Sequence, residues 1–181
     1  MTLIATLAEL RANRPEIIAE TLQRRPRGAM PVGDAKLMII ACDHPARGAL
    51  AVGDDPMAMA SREELLARCV EALRRPGVNG FLGTADMIED LALLGALDGK
   101  LVFGSMNRGG LAGSCFEMDD RRTGFDSLGI ARSGLDGGKM LLRVNYRDPG
   151  TAATLEWCGR AVDELAERHL LAMVEPFVSV W

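Results

Sequence analysis

Apolar and polar positions follow two different periods along this chain. Leu3, Leu7, Leu10, Ile17, Ile18 and Leu22 recur at helical spacing, so residues 2–25 read as an amphipathic helix interrupted by Pro15. The basic stretch Arg24-Arg25-Pro26-Arg27-Gly28 ends it and reads as a solvated helix end. From residue 36 the pattern changes. Short apolar runs without polar alternation cover 36–42, 78–83, 101–104, 139–146 and 170–178. Such runs suit strands covered on both faces, as in parallel sheets. Helical segments fall between them. Ser61-Arg-Glu-Glu64 is a capping box that opens a helix to about Arg75, which Pro76-Gly77 stops. Residues 86–97 read as a helix ended by Asp98-Gly99. Thr123-Gly-Phe-Asp126 is a second capping box, for a short helix ending near Gly134. Asp148-Pro149-Gly150-Thr151 caps a helix over 152–168, with Leu155, Cys158, Ala161, Val162 and Leu165 inward.

The order is a helix, then β-α four times, then β. Alternation of this kind predicts a parallel sheet with right-handed crossovers. Two architectures fit: a five-stranded doubly wound sheet, or part of a (β/α)8 barrel. A complete barrel takes about 200 residues or more, and this chain has 181.

Composition narrows the function classes. The net charge is −4 and aromatic residues make up 4%, so neither a nucleic-acid nor a membrane partner is expected. Cys42, Cys69, Cys115 and Cys158 are widely spaced and lie in or beside apolar segments, as buried free thiols of a reducing compartment do. With His44 and His169 as the two histidines, no zinc pattern can be built. The first residues carry charge too early for a signal peptide, and no apolar run reaches bilayer length. A cytoplasmic protein without metal or cofactor is the expectation.

In both architectures ligands bind at the carboxyl ends of the strands. Those ends carry Asp43, His44 and Arg47; Thr84 and Asp86; Ser105, Asn107 and Arg108; Arg143, Asn145, Tyr146, Arg147 and Asp148; and Glu175. Asp43 and Glu175 each follow directly on a long apolar run, where a half-buried carboxylate needs a partner. Lys36, Lys100 and Lys139 are the three amines, and Lys139 opens the fourth apolar run. The Gly-rich stretch from Gly104 through Gly109 and Gly110 to Gly113 has the frame of a phosphate loop, but Gly110 stands where Lys is required. It reads as a loop or lid. Glu117, Asp119 and Asp120 read as solvated loop charges.

Three motifs carry a resemblance. Ile39-Ile-Ala-Cys-Asp43-His-Pro-Ala-Arg47-Gly48, Gly138-Lys139-Met-Leu-Leu-Arg-Val-Asn-Tyr146 and Met173-Val-Glu175-Pro-Phe177 resemble, in that order, strand motifs of the class I, Schiff-base aldolases. The relatives include tagatose-bisphosphate, archaeal-type fructose-bisphosphate and deoxyribose-phosphate aldolases. An actinobacterial aldolase-like barrel family linked to inositol catabolism is closer still. The resemblance implies a partial (β/α)8 TIM barrel of about five parallel strands in sequential order. An N-terminal helical extension, 1–30, would precede the barrel portion, 31–181. It implies a carbon–carbon lyase acting on a sugar-like or phosphorylated carbonyl substrate, with Asp43, Lys139 and Glu175 catalytic and His44, Arg47, Asn107 and Arg143 binding substrate. In that family the Schiff-base Lys lies on the strand after this Glu. The sequence ends at Trp181, so an incomplete barrel is expected, with the last strand an exposed apolar edge through which copies associate. The alternative is a non-catalytic binding or regulatory protein with a doubly wound sheet.

Overall fold

The computed structural model describes residues 2–108, 114 and 118–178. The expectations at Gly109, Gly110, Gly113, Cys115, Glu117 and Trp181 lie outside the described residues.

Pro15 divides the N-terminal helix into α1 (Leu3–Asn13) and α2 (Glu16–Arg24), as its missing N–H and fixed φ require. The alternation follows: β1 (Ile39–Cys42), α3 (Arg62–Leu73), β2 (Gly80–Gly83), α4 (Ala85–Leu93), β3 (Leu101–Ser105), α5 (Ser127–Arg132), β4 (Gly137–Val144), α6 (Gly150–Ala166) and β5 (Leu171–Val178). The Ser61 hydroxyl caps α3 by accepting from the Glu64 N–H. The second capping box is displaced: Asp126, not Thr123, caps α5 by accepting from the Gly129 N–H at 2.6 Å. Thr123 is occupied elsewhere, accepting from the Arg108 N–H and donating to Asp120.

The five strands are parallel and lie in the order β1-β2-β3-β4-β5. Sequential order excludes the doubly wound alternative, which reverses at a switch point. The sheet curls into a half-barrel. Its convex face, with Ile40, Cys42, Phe81, Val102, Met140, Leu142 and Val144, packs under the helices in one apolar core. Leu66, Leu73, Ile88, Leu91 and Leu165 meet it from the helix side, each burial stabilising by roughly 1.5–3 kcal/mol. Along α6 the inward positions include Trp157, while Leu155, expected inside, is exposed. The concave face carries a smaller apolar patch of Leu82, Leu101 and Phe103 with Ile39 and Met173 against it.

Register explains how the sheet is shaped. Cys42, Gly83, Gly104 and Gly138 are in register across four strands. They face the helices, and a Cβ would fall 2.5 Å from Ile130 at Gly104 and 2.5 Å from Met106 at Gly138. The missing side chains let the layers approach there.

At the opposite end of the strands one carboxylate ties four segments together. Asp136 accepts from Arg25, Arg27 and the Val102 N–H at 2.7–2.8 Å. The Leu171 N–H donates to its carbonyl. The expected solvated basic helix end is therefore corrected at Arg25. Its side chain is 1% exposed, because a buried carboxylate draws it in. Asp120 is likewise buried rather than solvated, and holds Thr123.

Strand β5 pairs with β4 along all eight of its residues, and its Leu171, Val174, Phe177 and Val178 are exposed. An edge of this kind invites pairing.

Two outcomes are expected. Asp136→Asn leaves the Arg25 guanidinium buried without a counter-charge and should destabilise the fold by about 3–5 kcal/mol in urea unfolding, more than Arg25→Met does. Concentration-dependent association should be seen by sedimentation, and Val174→Lys should shift it toward the monomer.

Candidate functional site

The row above the convex-face glycines is polar. One residue further along each strand from that row stand Asp43, Thr84, Ser105 and Lys139, and these positions turn to the concave face. The stagger of the strands decides where Lys139 sits. It is near the beginning of β4, yet its register partner is Ser105, the last residue of β3. The lysine is therefore level with the carboxyl ends of β1 to β3.

Its side chain is 1% exposed. The Nζ lies 2.8 Å from Oδ2 of Asp43 and 2.5 Å from Oε2 of Glu175. The three residues expected to be catalytic thus converge. Asp43 is also buried, at 7%, whereas Glu175 on the edge strand is 43% exposed. An ammonium removed from water needs such compensation, since the uncompensated cost is several kcal/mol. Lys100 serves elsewhere: its Nζ donates to the Val78 carbonyl at the other end of the sheet. Among the described residues no helix is long and apolar enough to cross a membrane, and no group of three His, Cys, Asp or Glu residues is placed to hold a metal.

The expected binding residues divide. Immediately after Asp43 one 3-10 turn, His44–Arg47, closes on Gly48 at φ 74°, a left-handed position that suits glycine. This turn puts Nδ1 of His44 3.6 Å from Oδ1 of Asp43. Arg47 lies in the same turn with its Nε buried and without a hydrogen bond among the described residues. Arg143 lies over the Phe177 ring at 5.9 Å, on the rim next to Glu175. Asn107 is committed to the backbone. Its amide donates to the Asp120 and Leu141 carbonyls and accepts from the Leu141 N–H, each at 2.9 Å. It continues the β3–β4 ladder by side chain and pins the loop that follows. No spacing in the sequence signals this, because Asn107 and Leu141 meet only in the folded sheet.

A cavity of about 250 Å³ opens beside this row, lined by Ala46, Thr84, Asp86, Ser105, Arg108 and Thr123, among others. Thr123 had no signal in the sequence beyond its capping-box reading. Burial raises the Asp86 carboxyl, but hydrogen bonds from Thr84 and Arg62 outweigh it and hold the group below its ordinary value of 3.8. Arg62 in turn binds Asp90, which also takes Arg11 of α1, so one buried acid links α1, α3 and α4.

The comparisons fit this fold. The family model described as Cgl0159-like matches residues 35–181. The crystal structure of Cgl0159 from Corynebacterium glutamicum is 52% identical, with a TM-score of 0.92. The alignment covers 99% of this chain and 61% of that one, so this chain spans about three-fifths of that protein's length. No curated protein matches. The class I aldolase resemblance is therefore corrected, and with it the lyase and Schiff-base readings: the family that matches over the motif-bearing region is Cgl0159-like. The physical reason lies in the row itself. The acids after the first strand and in the fifth compensate the buried ammonium of the fourth, a structural role that is independent of any particular chemistry.

One pH response follows. Because the Asp86 pKa is depressed in the folded state, its stabilisation is present above the ordinary carboxylate range and lost as pH falls through the folded value. Asp86→Asn should cost at most about 1 kcal/mol near neutrality, since the side chain is only partly buried, with 59% of it exposed to solvent screening. Acid unfolding curves of the two proteins should converge well below pH 3.8.

Proposed function

We propose that this chain, which belongs to the Cgl0159-like family, carries the acid–base part of a site that moves a proton on a small hydroxylated carbonyl compound. The observation that carries the reading is the Lys139 ammonium, buried between Asp43 and Glu175 at the carboxyl end of the sheet. That is the end where barrel sheets place their ligands.

Each group has a distinct part. Glu175 is half-exposed on the edge strand, so its carboxylate can turn from Lys139 toward a ligand. It takes a proton from the carbon next to the carbonyl. The electron pair of that C–H bond forms a carbon–carbon double bond to the carbonyl carbon, the carbonyl π pair moves onto the oxygen, and the Lys139 ammonium faces the developing enolate. A fixed cation in a water-poor site stabilises such a charge better than water does. Asp43 keeps the ammonium in position, and return of the proton from Glu175 completes an exchange. His44 stands beside Asp43, Arg47 lies in the same turn and Arg143 lies over Phe177, and cationic and hydrogen-bonding groups of this kind favour an oxygen-rich or anionic compound such as a sugar phosphate. A second reading, a binding site without turnover, is favoured by the pairing of the ammonium with two carboxylates, which compensates it in the absence of any ligand.

Solvent-deuterium incorporation, followed by proton NMR over a panel of small hydroxy aldehydes, hydroxy ketones and their phosphate esters, separates the two. Exchange by the chain is expected, reduced about 10²–10⁴-fold in Glu175→Gln. Lys139→Met should abolish it. Ligand binding without exchange would favour the binding reading, and exchange unaffected by Glu175→Gln would remove the proposed base.

A further inference from the structure

The cavity of about 250 Å³ at the ends of β2 and β3 has no part in the proton transfer. Among the residues lining it, Ser105 is buried, Thr84 is half-buried, and Asp86, Arg108 and Thr123 are exposed. Ser105 is therefore at its inner end. Ser105 is also the register partner of Lys139, and the two side chains share the concave face. The inner end of the cavity thus lies one strand spacing, about 4.8 Å, from the strand that carries the lysine.

We propose that this cavity binds the hydroxyl groups of an uncharged polyol chain, the far end of the carbonyl compound that reacts at Lys139. The reacting end rests on the acid–base reading of the lysine, and the preference for hydroxyls rests on the cavity wall alone.

Hydrogen-bond directions fix what that wall offers. A hydroxyl has one proton to donate and two lone pairs with which to accept. The three hydroxyls of the lining have committed their protons inside the protein. Thr84 donates to Oδ1 of Asp86 at 2.5 Å, Ser105 to the Asn107 carbonyl at 2.8 Å and Thr123 to Oδ1 of Asp120 at 2.6 Å. What these side chains hold for a ligand is lone pairs. Thr123 keeps one, since it also accepts from the Arg108 N–H. The Asn107 amide is taken up by the Asp120 and Leu141 backbone. Asp86 adds acceptor positions beyond those used by Thr84 and Arg62, because a carboxylate has about four. As an acid in the first turn of α4 it also offsets the positive end of that helix.

The wall is rich in acceptors, with the Arg108 guanidinium as a donor beside them. A phosphate ester ionised at neutral pH brings acceptors to meet acceptors. An ammonium brings donors, together with a charge like that of Arg108. A hydroxyl group satisfies both sides: its proton goes to Thr84, Ser105 or Asp86, and its oxygen accepts from Arg108. The volume agrees, being below the roughly 300–1,000 Å³ of sites that enclose a whole drug-sized ligand. It takes one end of a small compound.

The test titrates the full chain with erythritol, a short polyol without a carbonyl, and follows backbone amide signals by 15N NMR. The signals of Thr84, Ala85, Asp86 and Ser105 should shift together and saturate. 1,4-Butanediol, which lacks the inner hydroxyls, should bind about 3–10-fold more weakly. Thr84→Val removes one acceptor where the side chain makes no helix cap, and should weaken erythritol binding about 3–10-fold. Ser105→Ala should weaken it by a similar factor. No saturable shift with erythritol overturns the proposal. So do tighter binding of inorganic phosphate or 1,4-diaminobutane at these signals, and an erythritol affinity unchanged in both variants. Erythritol has no carbonyl, so its binding is read apart from proton transfer. Erythritol binding without deuterium exchange on the hydroxy carbonyl panel supports the hydroxyl site and removes the acid–base reading, whereas exchange without erythritol binding does the reverse.

Discussion

The structure depends on compensating one buried ammonium. In a flat sheet β1 and β4 would stand about 14 Å apart, three strand spacings. Asp43 and Lys139 nevertheless meet at 2.8 Å. That contact is available only when the sheet curls so that its concave side brings residues from distant strands together. Glu175 adds the fifth strand to the same cation. One side chain near the beginning of β4 therefore joins both edges of the half-barrel, and the site and the curvature are one feature.

The other end of the strands uses the opposite polarity. There a buried carboxylate, Asp136, gathers Arg25 and Arg27 and a backbone N–H of β3. The segment following α2 is thereby fastened beneath the sheet. Arg11 performs a related task higher up, reaching Asp90 and Glu89 on α4. The N-terminal helices contribute Leu7 and Leu22 to the same core as the sheet. Charge pairing at three levels holds a curved layer whose apolar patch on the concave side is small.

The polar row sets what the site can do. A lysine compensated on both sides, with one carboxylate buried and the other half-exposed, leaves its two acids in different surroundings. The same geometry also matches what motif reading took for aldolase strands. Three short motifs at strand ends reflect where a parallel sheet must place polar groups, and they carry less information about the bond being broken. The family match and the related crystal structure carry the identity that those motifs did not.

The sequence by itself determined the element order, the five apolar strands and the acids that stand just after the first and within the last of them. Those features are local: apolar runs, capping residues and turn signals act within a few neighbours. It also marked Asp43, Lys139 and Glu175, since a charge beside a long apolar run must find a partner. Only the tertiary structure decided the rest. Strand stagger, which no single run encodes, placed Lys139 level with Ser105 and brought it to the carboxyl end. The commitment of Asn107 to Leu141 and the burial of Arg25 against Asp136 both join residues far apart in the chain. Their partners come within reach only after the sheet has curled, so the pattern of single residues held no trace of them.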